Sequence, residues 1–174
     1  MSALEKHPDM LHLLEFPCNG EVPKSLLTKD YIKPNELHFV RNHGGIPDID
    51  TNVYDIRLDR LVNDPKTLIL ADLQNQSELV TIQCTGTCRF KQIVEYPGEG
   101  DEMINAPCAE GAIGRAKWTG FSLKKVIKYC GGLEGGAKHL EIYSADTYFK
   151  GGQCMNYVVP VPWSKVRANE MRLV

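Results

Sequence analysis

The run Val80-Thr81-Ile82-Gln83-Cys84-Thr85-Gly86-Thr87-Cys88-Arg89 constrains this chain more than any other stretch, because an apolar strand stops on a thiol and is followed by a glycine and a cation. Such a strand must turn sharply at Gly86, the residue type that tolerates sharp turns. Cys84 is thereby left at a strand end, where a loop can expose it. Arg89 adds a planar donor fork suited to an anion. Those are the parts of an oxyanion-handling metal site, and buried cysteine packing is the ordinary alternative.

Around this run the pattern predicts short elements. Residues 1–36 are polar and broken by Pro8, Pro17, Pro23 and Pro34, which suits an extended amino-terminal arm laid over a domain formed by 37–174. Leu37 to Arg41 reads as a strand closed by the turn-rich Asn42-His43-Gly44-Gly45-Ile46-Pro47. Tyr54, Ile56 and Leu58 alternate as in a half-buried strand, Thr67 to Leu70 is a short apolar run, and Asp72 caps or begins a short helix before a strand over Leu79 to Gln83. Glu95 to Glu110 has loop composition, and its Cys108 reads as incidental. Ser122 is placed to cap a helix with apolar positions Leu123, Val126, Ile127 and Cys130, ended by Gly131-Gly132. Leu140 to Ser144 and Tyr157 to Val161 read as strands, the first leading into Asp146. Strands and short helices among long loops, without a repeated strand-helix-strand rhythm, predict an α+β fold with mixed sheets.

Composition narrows the function classes. A net charge of -2 argues against a nucleic-acid binder, and the apolar stretches are too short to span a bilayer, so no membrane partner is expected. Met1 to Met10 shows no secretory or mitochondrial pattern, so the default compartment is cytoplasmic, with peroxisome and mitochondrion left open. The six cysteines are scattered and read as reduced thiols. Cys84 and Cys88 lack the second ligand pair that structural zinc requires. With no GxGxxG and no phosphate-binding lysine loop, nucleotide-dependent chemistry is poorly supported.

Four segments, in order, resemble the molybdopterin-binding domain of the sulfite oxidase and eukaryotic nitrate reductase family. Phe39-Val40-Arg41-Asn42-His43 is similar to an aromatic-Val-Arg-Asn-His segment, and Thr81 to Arg89 to a Thr-Leu-Gln-Cys-Ala-Gly-Asn-Arg-Arg stretch. Gly111-Ala112-Ile113-Gly114-Arg115-Ala116-Lys117-Trp118-Thr119-Gly120 resembles a Gly-Ala-Ile-x-x-Ala-x-Trp-x-Gly run that precedes a helix. Asp146 sits where the family has a cofactor-contacting aspartate.

The resemblance implies a molybdenum-molybdopterin cofactor with Cys84 as thiolate ligand to the metal, a soft donor that suits a metal also held by a dithiolene. It implies catalytic roles for Cys84, Arg41 and Arg89, the two arginines holding a small oxyanion, sulfite or nitrate. Phe39, Val40, Arg41, Asn42, His43, Cys84 and Asp146 would hold the cofactor. The activity implied is oxidation of sulfite to sulfate by oxygen-atom transfer, with a nitrate reductase domain fragment and a non-catalytic family member as alternatives. The electron acceptor would be a separate molecule, and a full-length form would be a homodimer.

Two departures from the family pattern stand out. Thr87-Cys88-Arg89 replaces Asn-Arg-Arg, exchanging one cation for an oxidisable thiol. Family members also continue past the position of Val174 into an Asp-His-Gly-x-Pro-x-Arg segment, a Lys-Trp pair and an immunoglobulin-like domain. The chain is therefore expected to be C-terminally truncated, its molybdopterin-binding fold incomplete.

Overall fold

The computed structural model describes residues 6–73, 76–96, 106–168 and 171–173. It divides into two compact units: Met1–Ile46, Leu79–Lys117 and Asp146–Met155 form unit 1, and Pro47–Glu78, Trp118–Ala145 and Asn156–Val174 form unit 2. Mixed sheets and a few short helices make the fold α+β, as the element pattern predicts.

The segment 1–36, read from sequence as an extended arm, carries regular structure of its own. Strands β1 (Leu11–Leu14), β2 (Asn19–Glu21) and β3 (Val40–Arg41) form an antiparallel sheet in the order β1-β2-β3, and a helical turn α1 (Lys24–Leu27) follows β2. The central strand, Asn19-Gly20-Glu21, is wholly buried although nothing in it is apolar. Burial here comes from distant chain packed on the strand, Arg41 and Asn42 on Asn19 and Ala109 on Glu21, not from hydropathy. Behind it, Met10, Val22 and Leu37 form a small apolar core. Leu37, expected in a strand, lies in a single 3-10 turn over Asn35–Leu37, so the strand predicted from Leu37 to Arg41 shrinks to Val40–Arg41.

Hairpin strands β4 (Asp55–Leu58) and β5 (Lys66–Ile69) match the predicted alternation. The turn α2 (Leu70–Leu73) follows, and Asp72 secures it by accepting the Ile69 N–H at 3.0 Å. Strand β6 (Gln76–Gln83) contains the predicted run, and α3 (Arg89–Glu95) begins directly beyond the Cys84 turn. Residues 97–105 of the predicted loop lie outside the described residues.

The largest difference from expectation is β7 (Ile113–Ser122), where sequence periodicity gave no strand. Its inward positions are Gly114, Ala116, Gly120 and Ser122, so the two-residue period lies in side-chain size, not in hydropathy. β7 is the centre of a sheet ordered β10-β7-β6, with β10 at Arg172–Leu173.

Helix α4 (Leu123–Tyr129) ends as predicted. Gly132 donates to the Ile127 carbonyl at 2.9 Å and Gly131 to the Lys128 carbonyl at 3.1 Å, both glycines at positive φ, which is a Schellman closure. Ser122 occupies the N-cap position but makes no side-chain cap bond; instead the first helical amide, Leu123 N–H, donates to the Met171 carbonyl at 3.2 Å. Leu123, Ile127, Cys130, Val62, Val161 and Val166 form the core of unit 2. Strands β8 (His139–Lys150) and β9 (Gln153–Pro162) run well past their predicted limits and meet at Gly151-Gly152, both at positive φ, followed by helix α5 (Trp163–Arg167).

Candidate active site

Cys84 follows the last residue of β6, and its N–H closes the ladder on the Ala112 carbonyl at 3.0 Å. The turn beyond it is held by Thr87, whose amide donates to the Cys84 carbonyl at 3.1 Å and whose hydroxyl lies 2.8 Å from that same oxygen. These bonds fix the half-buried Cys84 side chain, and the Gly86 amide donates to its sulfur at 3.3 Å. A Cβ on Gly86 would come within 2.8 Å of Arg89 Nη1, so the absent side chain is what lets the guanidinium fold back over the turn. There Arg89 Nη1 also donates to the Ala106 carbonyl at 3.0 Å. Cys88, where the family pattern breaks, is the N-cap of α3 and takes a left-handed conformation with φ 65°. Non-glycine residues rarely adopt it. The Cys88 amide donates to the Ala109 carbonyl at 2.7 Å.

The Phe39 to His43 segment is organised by a residue that sequence reasoning missed. Asn19, 0% exposed, accepts the Asn42 N–H at 3.0 Å and Arg41 Nη1 at 3.2 Å through one oxygen. Its own amide donates to the carbonyls of Pro17 at 2.7 Å and Asn42 at 3.2 Å. Arg41 Nη1 also bonds the Asn42 carbonyl, and Asn42 Nδ2 reaches the Cys18 carbonyl at 2.8 Å. Phe39 stacks on His38 with ring centroids 4.9 Å apart. Phe39 and Cys84 both pack on the buried cluster Ala106, Cys108 and Ala112.

His43 stays largely at the surface. Partial burial of its ring, and next the Arg41 charge, push its pKa below the ordinary value, while the Asp146 carboxylate pushes back. Asp146 therefore lies within electrostatic reach of His43, but it sits inside β8, not at the end of a shorter strand. Gly44 lies flush on the same strand: a Cβ there would stand 1.9 Å from the Thr147 carbonyl oxygen.

Cys108, read from sequence as incidental, is 3% exposed and central to the site. Burial pushes its thiol pKa up, as do Cys84 and Glu21, while Arg41 and Arg89 pull it down. Cys84 packs on the cluster that contains this sulfur, and Arg89 bonds the Ala106 carbonyl of the same cluster. Glu21, also missed, is 2% exposed; its Oε1 accepts the Ala109 N–H at 3.1 Å and its Oε2 has no partner. Desolvation raises its pKa against the lowering effect of the Ala109 and Gly111 amides. No sequence signal marks either Asn19 or Glu21, because burial of a polar residue in a polar segment is decided by partners distant in sequence, here Asn42 and Ala109.

A thiol at a strand end, a guanidinium folded back over the turn beyond it, and a loop set flush against β8 stand together in unit 1 of an α+β scaffold. The comparisons carry this further. The family model described as the oxidoreductase molybdopterin binding domain matches residues 43–174, and the chain belongs to that family. The cofactor of this class of domain is molybdenum-molybdopterin.

Among curated relatives, sulfite oxidase from Arabidopsis thaliana is 30% identical over 153 residues, covering 81% of this chain and 37% of that protein. Nitrate reductase [NAD(P)H] from Hordeum vulgare is 28% identical over 158 residues, covering 87% of this chain and 17% of that protein. The chain thus spans well under half the length of these relatives. Among solved structures, sulfane dehydrogenase SoxCD from Paracoccus pantotrophus matches 95% of this chain and 41% of its own, with TM-score 0.65 and 22% identity, a likeness of fold.

Proposed function

We propose that the chain carries the molybdenum centre of a sulfite-oxidising enzyme, with Cys84 as the metal's protein ligand and Arg41 and Arg89 as the anion-binding pair. The observation that supports this reading is that Cys84 and Phe39 pack on one buried cluster of Ala106, Cys108 and Ala112, and that Arg89 bonds the Ala106 carbonyl of the same cluster at 3.0 Å. The donor set suits the cofactor. Among the described residues no three His, Cys, Asp or Glu side chains converge as a metal nest, so a metal at Cys84 would draw its remaining donors from its own organic ligand.

When bound, the cofactor supplies two-electron oxygen-atom transfer. The chain's own residues do the rest. The Gly86 amide donates to the Cys84 sulfur at 3.3 Å and fixes where that sulfur points. Asn19 orients Arg41 and the Ala106 carbonyl orients Arg89, the two guanidinium groups that would hold the oxyanion. Phe39, Val40, Asn42, His43 and Asp146 would hold the pterin, and electrons would leave to a separate acceptor.

Sulfite is preferred over nitrate because the Arabidopsis sulfite oxidase is the more similar of the two relatives; the nitrate reading is favoured by the greater coverage of the Hordeum enzyme. The test is molybdenum and pterin content of chain made in cofactor-competent cells, followed by sulfite oxidation and nitrate reduction with artificial electron carriers. Cofactor retention with sulfite turnover, both lost in Cys84→Ser, is the expected result. Turnover of nitrate alone overturns the substrate, and a folded chain without molybdenum overturns the catalytic reading.

A further inference from the structure

Unit 1 holds a recess built around a cation that nothing in the proposed reaction uses. It is a cavity of about 450 Å³ whose wall includes Leu27, Asp30, Tyr31, Lys33, Ile113 and Arg115. The two cations in that wall differ in what they already hold. Lys33 is buried, and its ammonium donates to the carbonyls of Leu26 at 3.0 Å and Asp30 at 2.8 Å, tying down the turn after α1. Arg115 is unspent. Its guanidinium carbon lies 4.9 Å from the centre of the Tyr31 ring, its Nε–H is buried without an acceptor, and among the described residues no carboxylate or carbonyl takes its fork.

The backbone holds that arginine in place. The Lys33 amide donates to the Arg115 carbonyl at 2.7 Å, and at neighbouring Gly114 a Cβ would fall 2.8 Å from the His38 ring. A guanidinium carried on a pinned backbone, with one face against Tyr31 and its terminal donors unmet, can take a planar acceptor.

We propose that this cavity binds a small organic monocarboxylate with an apolar body, its carboxylate on Arg115 and its body against Leu27, Ile113 and Tyr31. The volume falls in the range of small-molecule sites and far exceeds what a single oxyanion fills. Leu27 and Ile113 offer apolar surface that an inorganic anion would leave exposed. Asp30 on the wall repels a second negative charge, which favours a monoanion over phosphate esters or dicarboxylates. None of the lining residues belongs to the Cys84 site, so the inference stands independently of the proposed reaction.

Isothermal titration of the 174-residue chain with 3-phenylpropionate tests it, with succinate and sulfate as comparison anions. The expected result is saturable binding of the monocarboxylate, at least about tenfold weaker in Arg115→Ala, with both comparison anions weaker than the probe by a similar factor. Tyr31→Ala alters a residue 77% exposed, so folding is not at risk, and should weaken binding about threefold by removing the stacked face. If Arg115→Ala does not fold, Arg115→Lys, which keeps the charge and loses the fork, takes its place. No saturable heat, undiminished affinity in the arginine variant, or sulfate binding as tightly as the carboxylate each overturns the proposal.

Discussion

Gly44 sits against the backbone of Thr147 so closely that a single added carbon would stand 1.9 Å from the Thr147 carbonyl oxygen. This contact joins the loop bearing His43 to the strand bearing Asp146, two residues that are far apart in sequence and proposed to share the pterin.

Gly44→Ala is therefore expected to force the loop off β8, because a strand carbonyl cannot swing aside as a side chain can. Overpacking of this kind costs about 1–3 kcal/mol or more. Urea unfolding should show the loss, and molybdopterin retained per folded chain should fall with it. Wild-type stability and retention in this variant would show that the loop is free to shift.

Asn19→Ala should destabilise unit 1 by about 2–3 kcal/mol, since it strips partners from the Asn42 amide, the Arg41 fork and two carbonyls at once. Sulfite affinity should fall as well, because Arg41 loses the oxygen that orients it. Chemical denaturation and sulfite KM are the readouts, and an unchanged KM would remove Asn19 from the positioning role.

Glu21 makes the stability pH-dependent in a direction opposite to that of a salt-bridged carboxylate. Desolvation raises its folded pKa above the ordinary value of 4.5. The folded state thus binds the proton more tightly than the unfolded state, and the stabilisation is complete below that ordinary value and lost as pH rises through the folded pKa. Glu21→Gln keeps an oxygen for the Ala109 amide and cannot ionise. Its melting temperature should exceed that of wild type by a margin that is widest at about pH 8 and closes toward about pH 4. A margin independent of pH would contradict the linkage.

Leu123→Ala removes a buried side chain from the unit 2 core and should cost about 2–5 kcal/mol. Leu79→Ala, at an exposed position of β6, should cost well under half as much. Comparable losses at both sites, measured by calorimetry, would show that Leu79 is buried in solution.

The sequence made the carboxyl end of β6 legible because its apolar residues stop at a thiol and a glycine turn. It made α4 legible because helical spacing and a double glycine agree. It hid β7, whose inward face is Gly114, Ala116, Gly120 and Ser122, since hydropathy does not register a periodicity of small side chains. The same blindness covered Cys108, which lies in a stretch of loop composition yet packs under Cys84.

By itself, then, the sequence determined the family and with it the molybdenum-molybdopterin cofactor, and it nominated Cys84, Arg41 and Arg89 for the site, because residue type and order along the chain set the donors available. Only the tertiary structure decided which residues orient them. Asn19 and Glu21 become buried because distant chain packs on them, the Arg41-Asn42 segment on Asn19 and Ala109 on Glu21, and no local pattern encodes such partners.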